Sequence, residues 1–237
     1  MLRIAVARIP APAVAAGDDV APGWLGESER QRWAALSPAA RREFAASRAL
    51  LRDLLRAATG DSQAAWDVSA QAGAAPVVRA VRGDSAAATV HASLSHRLGW
   101  VAAAVSDAPV GIDIECERPS RTDARERAAL MLAPAELAPW ASLAAPQREA
   151  ALLARWTVKE AWFKARPPAI APWDFRRVAA HACASADANV RTWAAPPLHV
   201  AVCTDDATAL AALECDGLPD TAAGTFFWHV HPVAHAA

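Results

Sequence analysis

The sequence predicts an α+β fold of two subdomains, with mostly antiparallel sheets each packed with a long helix. Three observations predict it. Between residues 91 and 115, three short strand patterns follow one another with only turns between them, so neighbours there are expected to pair as antiparallel hairpins. Each half of the chain holds one long helical pattern. No low-complexity linker separates the halves, which meet near residue 109, so the expected division is 1–109 and 110–237.

Each element has a local signal. Residues 4–9 read as a first strand. Residues 24–44 are polar with helical tendency, and Ser37-Pro38 has the form of a helix start, an N-cap serine with proline in the first turn. Residues 44–56 are helical, because apolar side chains at 44, 50, 51, 54 and 55 recur near the 3.6-residue period; Gly60 ends the run. Short strands at 66–69 and 77–81 flank a turn carrying Gly73 and Pro76. Residues 91–96, 100–105 and 110–115 are strands, with turns at Gly99 and at Asp107-Ala-Pro109. Residues 122–133, 134–143 and 146–165 read as helices, the last closed by Pro167-Pro168. Residues 175–181, 190–193, 198–203 and 226–231 are candidate strands.

The 237 residues suffice for a core without disulfides or structural metals. With 54% hydrophobic and 21% charged residues the chain is globular in composition, not disordered. Its 24 basic and 25 acidic residues leave a net charge of −1, which argues against a general nucleic-acid or membrane-surface binder. Cys116, Cys183, Cys203 and Cys215 form no C-x-x-C pair and are expected to be buried reduced thiols. Arg8 and Pro10 interrupt the apolar start, so no signal-peptide core is read there, and no apolar run reaches the roughly 18 residues that span a bilayer. The expected location is cytoplasmic.

Four groups of residues bear chemistry. Asp113 and Glu115 stand two apart on a strand and share a face, with Ile112 and Ile114 on the other. Carboxylates in apolar surroundings need a positive partner, for which Mg²⁺ is the natural candidate; the other reading is a strand end with solvated acids. In Trp156-Thr-Val-Lys159-Glu160-Ala-Trp-Phe-Lys164, residues 156, 160, 163 and 164 share one side of a helix, and Lys159 is turned away by about 100°. Glu160 and Lys164 are either a surface ion pair or part of a partly buried functional face among Trp156, Trp162 and Phe163. Ser95 and His96 close a strand before a glycine turn, as phosphate donors or as ordinary turn residues. Arg41, Arg42 and Arg48 surround the first long helix, as phosphate ligands or as solvated charges.

The order and spacing of these groups say more than any one of them. Ser95-His96, then Gly111-Ile-Asp113-Ile-Glu115, then Trp156-x-x-Lys159-Glu160-Ala-x-x-Lys164-Ala165, together with Ser47-Arg48-Ala-Leu-Leu-Arg52, resemble the 4′-phosphopantetheinyl transferase superfamily in its large, surfactin-type (Sfp-like) monomeric branch. The resemblance runs from about residue 33 to 205. It implies two similar subdomains in a pseudo-twofold arrangement and a monomer. It implies transfer of 4′-phosphopantetheine from coenzyme A to a serine of an apo acyl or peptidyl carrier protein, with release of 3′,5′-ADP. It implies a metal site of Asp113, Glu115 and Glu160 holding Mg²⁺ or Mn²⁺, with Glu160 also accepting the carrier serine's proton and its pKa held low by the metal. Lys164 is implied to meet the coenzyme A phosphates, Ser95 and His96 to contact phosphate, and Arg48 to lie near the adenosine 3′-phosphate. Lys159 is implied to pair with phosphate or with Glu115. The carrier is expected to be acidic around its serine, with Arg118, Arg121, Arg125 and Arg127 either steering it or forming a solvated helix face.

The sequence departs from the family pattern in three places. Gly73-Ala-Ala-Pro76 stands where relatives carry Gly-Lys-Pro, so that lysine is missing, and Arg79 and Arg82 are the candidate substitutes. The stretch between Ser37-Pro38 and Arg48 has fewer basic residues than is usual, which weakens the expected 3′-phosphate contacts. Met131-Leu132 replaces an aromatic pair. The alternative function is a non-catalytic relative that binds coenzyme A or a carrier without turnover.

Overall fold

A computed structural model describes residues 1–9, 20–60, 66–69, 71, 75–80, 90–117, 122–166, 174–213, 215–218 and 224–233. The elements are β1 (Leu2–Arg8), α1 (Glu27–Ala34), α2 (Pro38–Thr59), β2 (Trp66–Val68), β3 (Val78–Ala80), β4 (His91–Arg97), β5 (Trp100–Ser106), β6 (Gly111–Cys116), α3 (Ala124–Met131), α4 (Pro134–Ala141), α5 (Ala145–Lys164), β7 (Val178–Ala182), β8 (Val190–Ala195), β9 (Leu198–Cys203), α6 (Ala207–Ala212), β10 (Cys215–Asp216) and β11 (Gly224–Pro232). Together they are a mixed α+β fold with antiparallel sheets and helices. The chain divides into two units, Met1–Val110 with Leu213–Leu218, and Gly111–Ala212 with Pro219–Ala237.

In the first unit the apolar run of β5 is buried along almost its whole length and lies inside a four-stranded sheet of order β10-β1-β5-β4. Ala102, Ala103 and Ala104 keep its surface flat, and Leu51, Leu54 and Leu55 of α2 pack with Ala103 and Val105 in one core. The ends of α2 are set by its sequence. The Ser37 hydroxyl accepts from Ala40 N at 3.4 Å, Pro38 fills the first turn, and Gly60 stops the helix at φ +70°, a left-handed turn that glycine adopts without strain. A buried ion pair ties α1 to α2, with Arg52 donating to both Glu29 oxygens at 2.5 and 3.0 Å.

In the second unit the sheet order is β6-β9-β8-β11-β7, antiparallel throughout. Its core sets Val158, Ala161, Trp162 and Phe163 of α5 against Val178, Ala180, Val190, Ala201 and Val230. The N-terminal half of α5 packs with α3 and α4 through Ala128, Leu132, Trp140 and Leu152. No helix among the described residues is long and apolar enough to cross a membrane.

The helix start read at Ser37-Pro38 is where α2 begins, and α1 ends before it at Ala34. One local expectation is corrected. The run of hairpins stops after β4–β5, since β5 has β1 on one edge and β4 on the other; β6 pairs with β9 instead. Two short elements, α6 and β10, carry too little periodic signal to be read. Among the cysteines, Cys116 and Cys203 are buried, and burial pushes the Cys203 thiol up to about 12. Cys183 and Cys215 are half-buried.

Candidate active site

The sequence-predicted residues fall into two groups, one in each unit. In the second unit, β6 lies at one edge of its sheet and α5 crosses it. Gly111 permits the crossing. A Cβ there would stand 2.0 Å from Ala161 O and 2.5 Å from Ala165 N, so only glycine lets the helix backbone come this close. The close approach brings the last turn of α5 beside the acidic face of β6.

Asp113 is 2% exposed in that position, and Lys164 Nζ donates to its Oδ1 at 2.6 Å. The same ammonium lies 3.5 Å from Glu160 Oε2, one helical turn back. Glu115, two residues along the strand, is half-buried and accepts from Trp156 Nε1 at 3.2 Å. Trp156 is held by stacking on Phe175, with centroids 4.7 Å apart. Ile112 and Ile114 are buried, as the strand alternation requires. Of the two readings open for these acids, solvated residues at a strand end do not describe Asp113.

Burial is the largest influence on Glu160, and the neighbouring Asp113 carboxylate is the next. Lys164 opposes them, but the carboxyl is still pushed up to about 7. The low pKa implied for Glu160 rested on a bound metal. The protein's own surroundings act in the opposite direction, because burial and the Asp113 and Glu115 carboxylates outweigh Lys164. That donor set suits a hard divalent cation. Among the described residues, however, no three His, Cys, Asp or Glu side chains stand ready to hold a metal ion together. Lys164 supplies the positive charge at Asp113.

Lys159 is placed elsewhere. It is fully buried, and its Nζ donates to Glu136 Oε2 at 2.5 Å, Met131 O at 2.8 Å and Phe175 O at 3.0 Å. Glu136 also accepts from Ala133 N at 2.8 Å and Ala180 N at 3.1 Å. Burial lowers the lysine's hold on its proton, and Glu136 opposes that. Its partner is thus Glu136 rather than Glu115, because Lys159 points off the Glu160–Lys164 side of the helix into the junction of α3, α4 and β7. Glu136 escaped the sequence reading. Its one sequence signal is its place three residues after Ala133, where an acid reaches back to cap a helix start.

In the first unit, Arg48 is 8% exposed. Its Nε lies 3.8 Å from Glu29 Oε1, an acid already engaged by Arg52, and its Nη1 is buried without a hydrogen-bond partner. Burial, followed by repulsion from Arg52, weakens its hold on its proton, against the attraction of Glu29. Arg48 and His96 line a cavity of about 390 Å³, together with Arg32, Glu43 and Phe44. His96 Nδ1 lies 3.3 Å from Glu43 Oε2. Ser95 does not line this cavity: Ala92 and Leu94 pack into the α2 core, so residue 95 takes the opposite face of β4, where it is buried. Arg32, Glu29 and Glu43 were not picked out in the sequence, where isolated charges on polar helices carry no distinguishing pattern.

The other expectations are soon placed. Arg79 is exposed on β3, while Gly73, Arg82, Arg118 and Arg121 lie outside the described residues. Arg125 lies in the first turn of α3. Arg127 donates to both oxygens of Glu149, at 2.5 and 2.6 Å. Leu132 is core, packed with Trp140 and Leu152.

No match was found among curated proteins. A family model does match, that of the 4′-phosphopantetheinyl transferase superfamily, over residues 109–212. The match takes in Asp113, Glu115, Lys159, Glu160 and Lys164 and leaves out Arg48, Ser95 and His96. A family of this kind supports a transferase that modifies carrier proteins. With its acids on β6 and its lysine on α5, the segment 109–212 belongs to the 4′-phosphopantetheinyl transferase superfamily.

Proposed function

We propose that this protein transfers 4′-phosphopantetheine from coenzyme A to a serine hydroxyl of an apo acyl or peptidyl carrier protein. The observation that carries the reading is the Asp113–Lys164–Glu160 arrangement, a buried acid and a second acid sharing one ammonium. In the reaction the serine oxygen bonds to the phosphorus that bears pantetheine. The pyrophosphate bond breaks, 3′,5′-ADP departs, and the serine proton must go to a base.

Glu160 takes that proton, its carboxylate lying beside Lys164 one helical turn away. Lys164 turns its ammonium to the phosphate oxygens and offsets the charge that develops on them. Trp156 holds Glu115 in place through its indole N–H. Arg48 and His96, which line the first-unit cavity, receive the adenosine 3′-phosphate there. Ser95, on the other face of β4, serves a different phosphate. Asp113, Glu115 and Glu160 would hold Mg²⁺ or Mn²⁺. When bound, that ion supplies charge neutralisation at the pyrophosphate. One chain carries every residue named, so a monomer suffices.

The test is a mass spectrum of apo acyl and peptidyl carriers after incubation with coenzyme A, Mg²⁺ and the protein. The expected result is a carrier heavier by one phosphopantetheine, absent with EDTA and with Glu160→Gln. Coenzyme A binding without a mass shift on any carrier would leave a binding protein and overturn the transferase.

A further inference from the structure

The first-unit cavity contains a contradiction that the proposed function does not explain. One lining group carries positive charge that is only partly matched: Arg48 is nine-tenths buried, its Nη1 has no hydrogen-bond partner, and its Nε stands 3.8 Å from Glu29, an acid that Arg52 holds at 2.5 Å. Arg32 adds a second guanidinium to the lining. Yet Glu43 lines the same cavity and holds His96, with Oε2 3.3 Å from the ring Nδ1. An anion in this cavity must therefore compete with a carboxylate for the histidine and be repelled by it as well. The glutamate side chain is one-third exposed, so water screens this repulsion only in part.

We propose that Glu43 is a specificity determinant that works against the 3′-phosphate of the adenosine end, so that the protein uses 3′-dephospho-coenzyme A nearly as well as coenzyme A. This rests on the placement of the adenosine end in the cavity. Two charges a few ångströms apart in a half-buried site interact by enough to change affinity about tenfold. Glu43 takes from the 3′-phosphate much of what Arg48 and Arg32 give it. A ligand that lacks the phosphate loses nothing to Glu43, since the Glu43–His96 pair stays closed.

The experiment is calorimetric titration of the full chain with 3′,5′-ADP and with 5′-ADP, for the wild-type protein and for Glu43→Gln. Melting temperatures confirm that both are folded. In the wild type the two nucleotides should bind within about threefold of each other. In Glu43→Gln, 3′,5′-ADP should bind about tenfold more tightly and 5′-ADP should be unchanged within twofold. An unchanged affinity for 3′,5′-ADP would overturn the proposal. A weakened one would overturn it too, and would make Glu43 a support that aims His96 at the phosphate. Failure of both nucleotides to bind either protein would remove the ligand from the cavity and the proposal with it. The carrier mass-shift assay on the wild-type protein, run with coenzyme A and with 3′-dephospho-coenzyme A, judges the transferase separately. A shift with coenzyme A alone keeps the transferase and refutes the role of Glu43.

Discussion

Lys164 Nζ stands 2.6 Å from Asp113 Oδ1, and this contact joins the last turn of α5 to the acidic face of β6. It makes the lysine the counter-ion of Asp113, and the proposed function adds a phosphate for it to meet. Lys164→Met should lower carrier modification by roughly 10²–10³-fold, the usual cost of losing one preorganised group that meets developing charge. Lys164→Arg should recover only a small part, because a planar guanidinium does not replace a compact ammonium. Initial rates at saturating coenzyme A would measure both.

The second prediction concerns the approach of helix to strand. Gly111→Ala puts a methyl group 2.0 Å from Ala161 O, which no side-chain rotation can relieve. The strand and helix must move apart. A stability loss of about 1–3 kcal/mol in urea is expected, as for other overpacked sites. Activity should fall further than stability, since the same shift parts Lys164 from Asp113. A variant that matches the wild type in both would show that the contact is looser than described.

Lys159 makes a separate, purely structural test. Lys159→Met leaves the buried Glu136 with Arg155 alone, whose Nε lies 3.4 Å from Oε1, and should cost about 3 kcal/mol, the low end for a broken buried pair. Lys159→Met with Glu136→Leu removes the paired charges and should regain part of that loss, although Ala133 N and Ala180 N then lose their acceptor and Arg155 its carboxylate. If Lys159 contacted phosphate instead, the single change would raise the KM for coenzyme A and leave the unfolding midpoint in place. Denaturant curves beside KM values decide between the two.

Glu160 gives a pH dependence whose sign can be worked out. Its pKa is about 7 when folded, against 4.5 as the ordinary value, so the folded state binds more protons between those two points. Its stabilising effect is complete below pH 4.5 and is lost as pH rises through 7. In metal-free protein, Glu160→Gln should flatten the fall in stability between pH 5 and 8, an effect on the order of 1–3 kcal/mol, and should be the more stable protein at pH 8. Mg²⁺ should raise the wild-type melting temperature at pH 8 and do little for the variant. Thermal melts across pH, with and without Mg²⁺, would read out both effects.

Much of the fold was legible because its signals are local. Helix α2 announces itself by its period, its Ser37-Pro38 start and its Gly60 stop, and β4 to β6 by short strand patterns between turns. The pairing of β6 was not legible, because a strand's partner depends on which edges are still open elsewhere, and both edges of β5 were taken. The candidate site divides in the same way. The shared face of Asp113 and Glu115, and the one-turn spacing of Glu160 and Lys164, follow from strand and helix periods. By itself, then, the sequence determined the α+β class, the helix and strand types, and which acids and lysines stand on common faces.

Only the tertiary structure decided what those faces meet. It gave Lys159 to Glu136, 23 residues away in the chain, and Lys164 to Asp113, 51 residues away. It turned Ser95 from the cavity that His96 lines, and it set Glu43 against His96 there. Such choices depend on distance and burial between segments remote in sequence. A carboxylate's strength and a lysine's partner are properties of that surrounding, not of the residue.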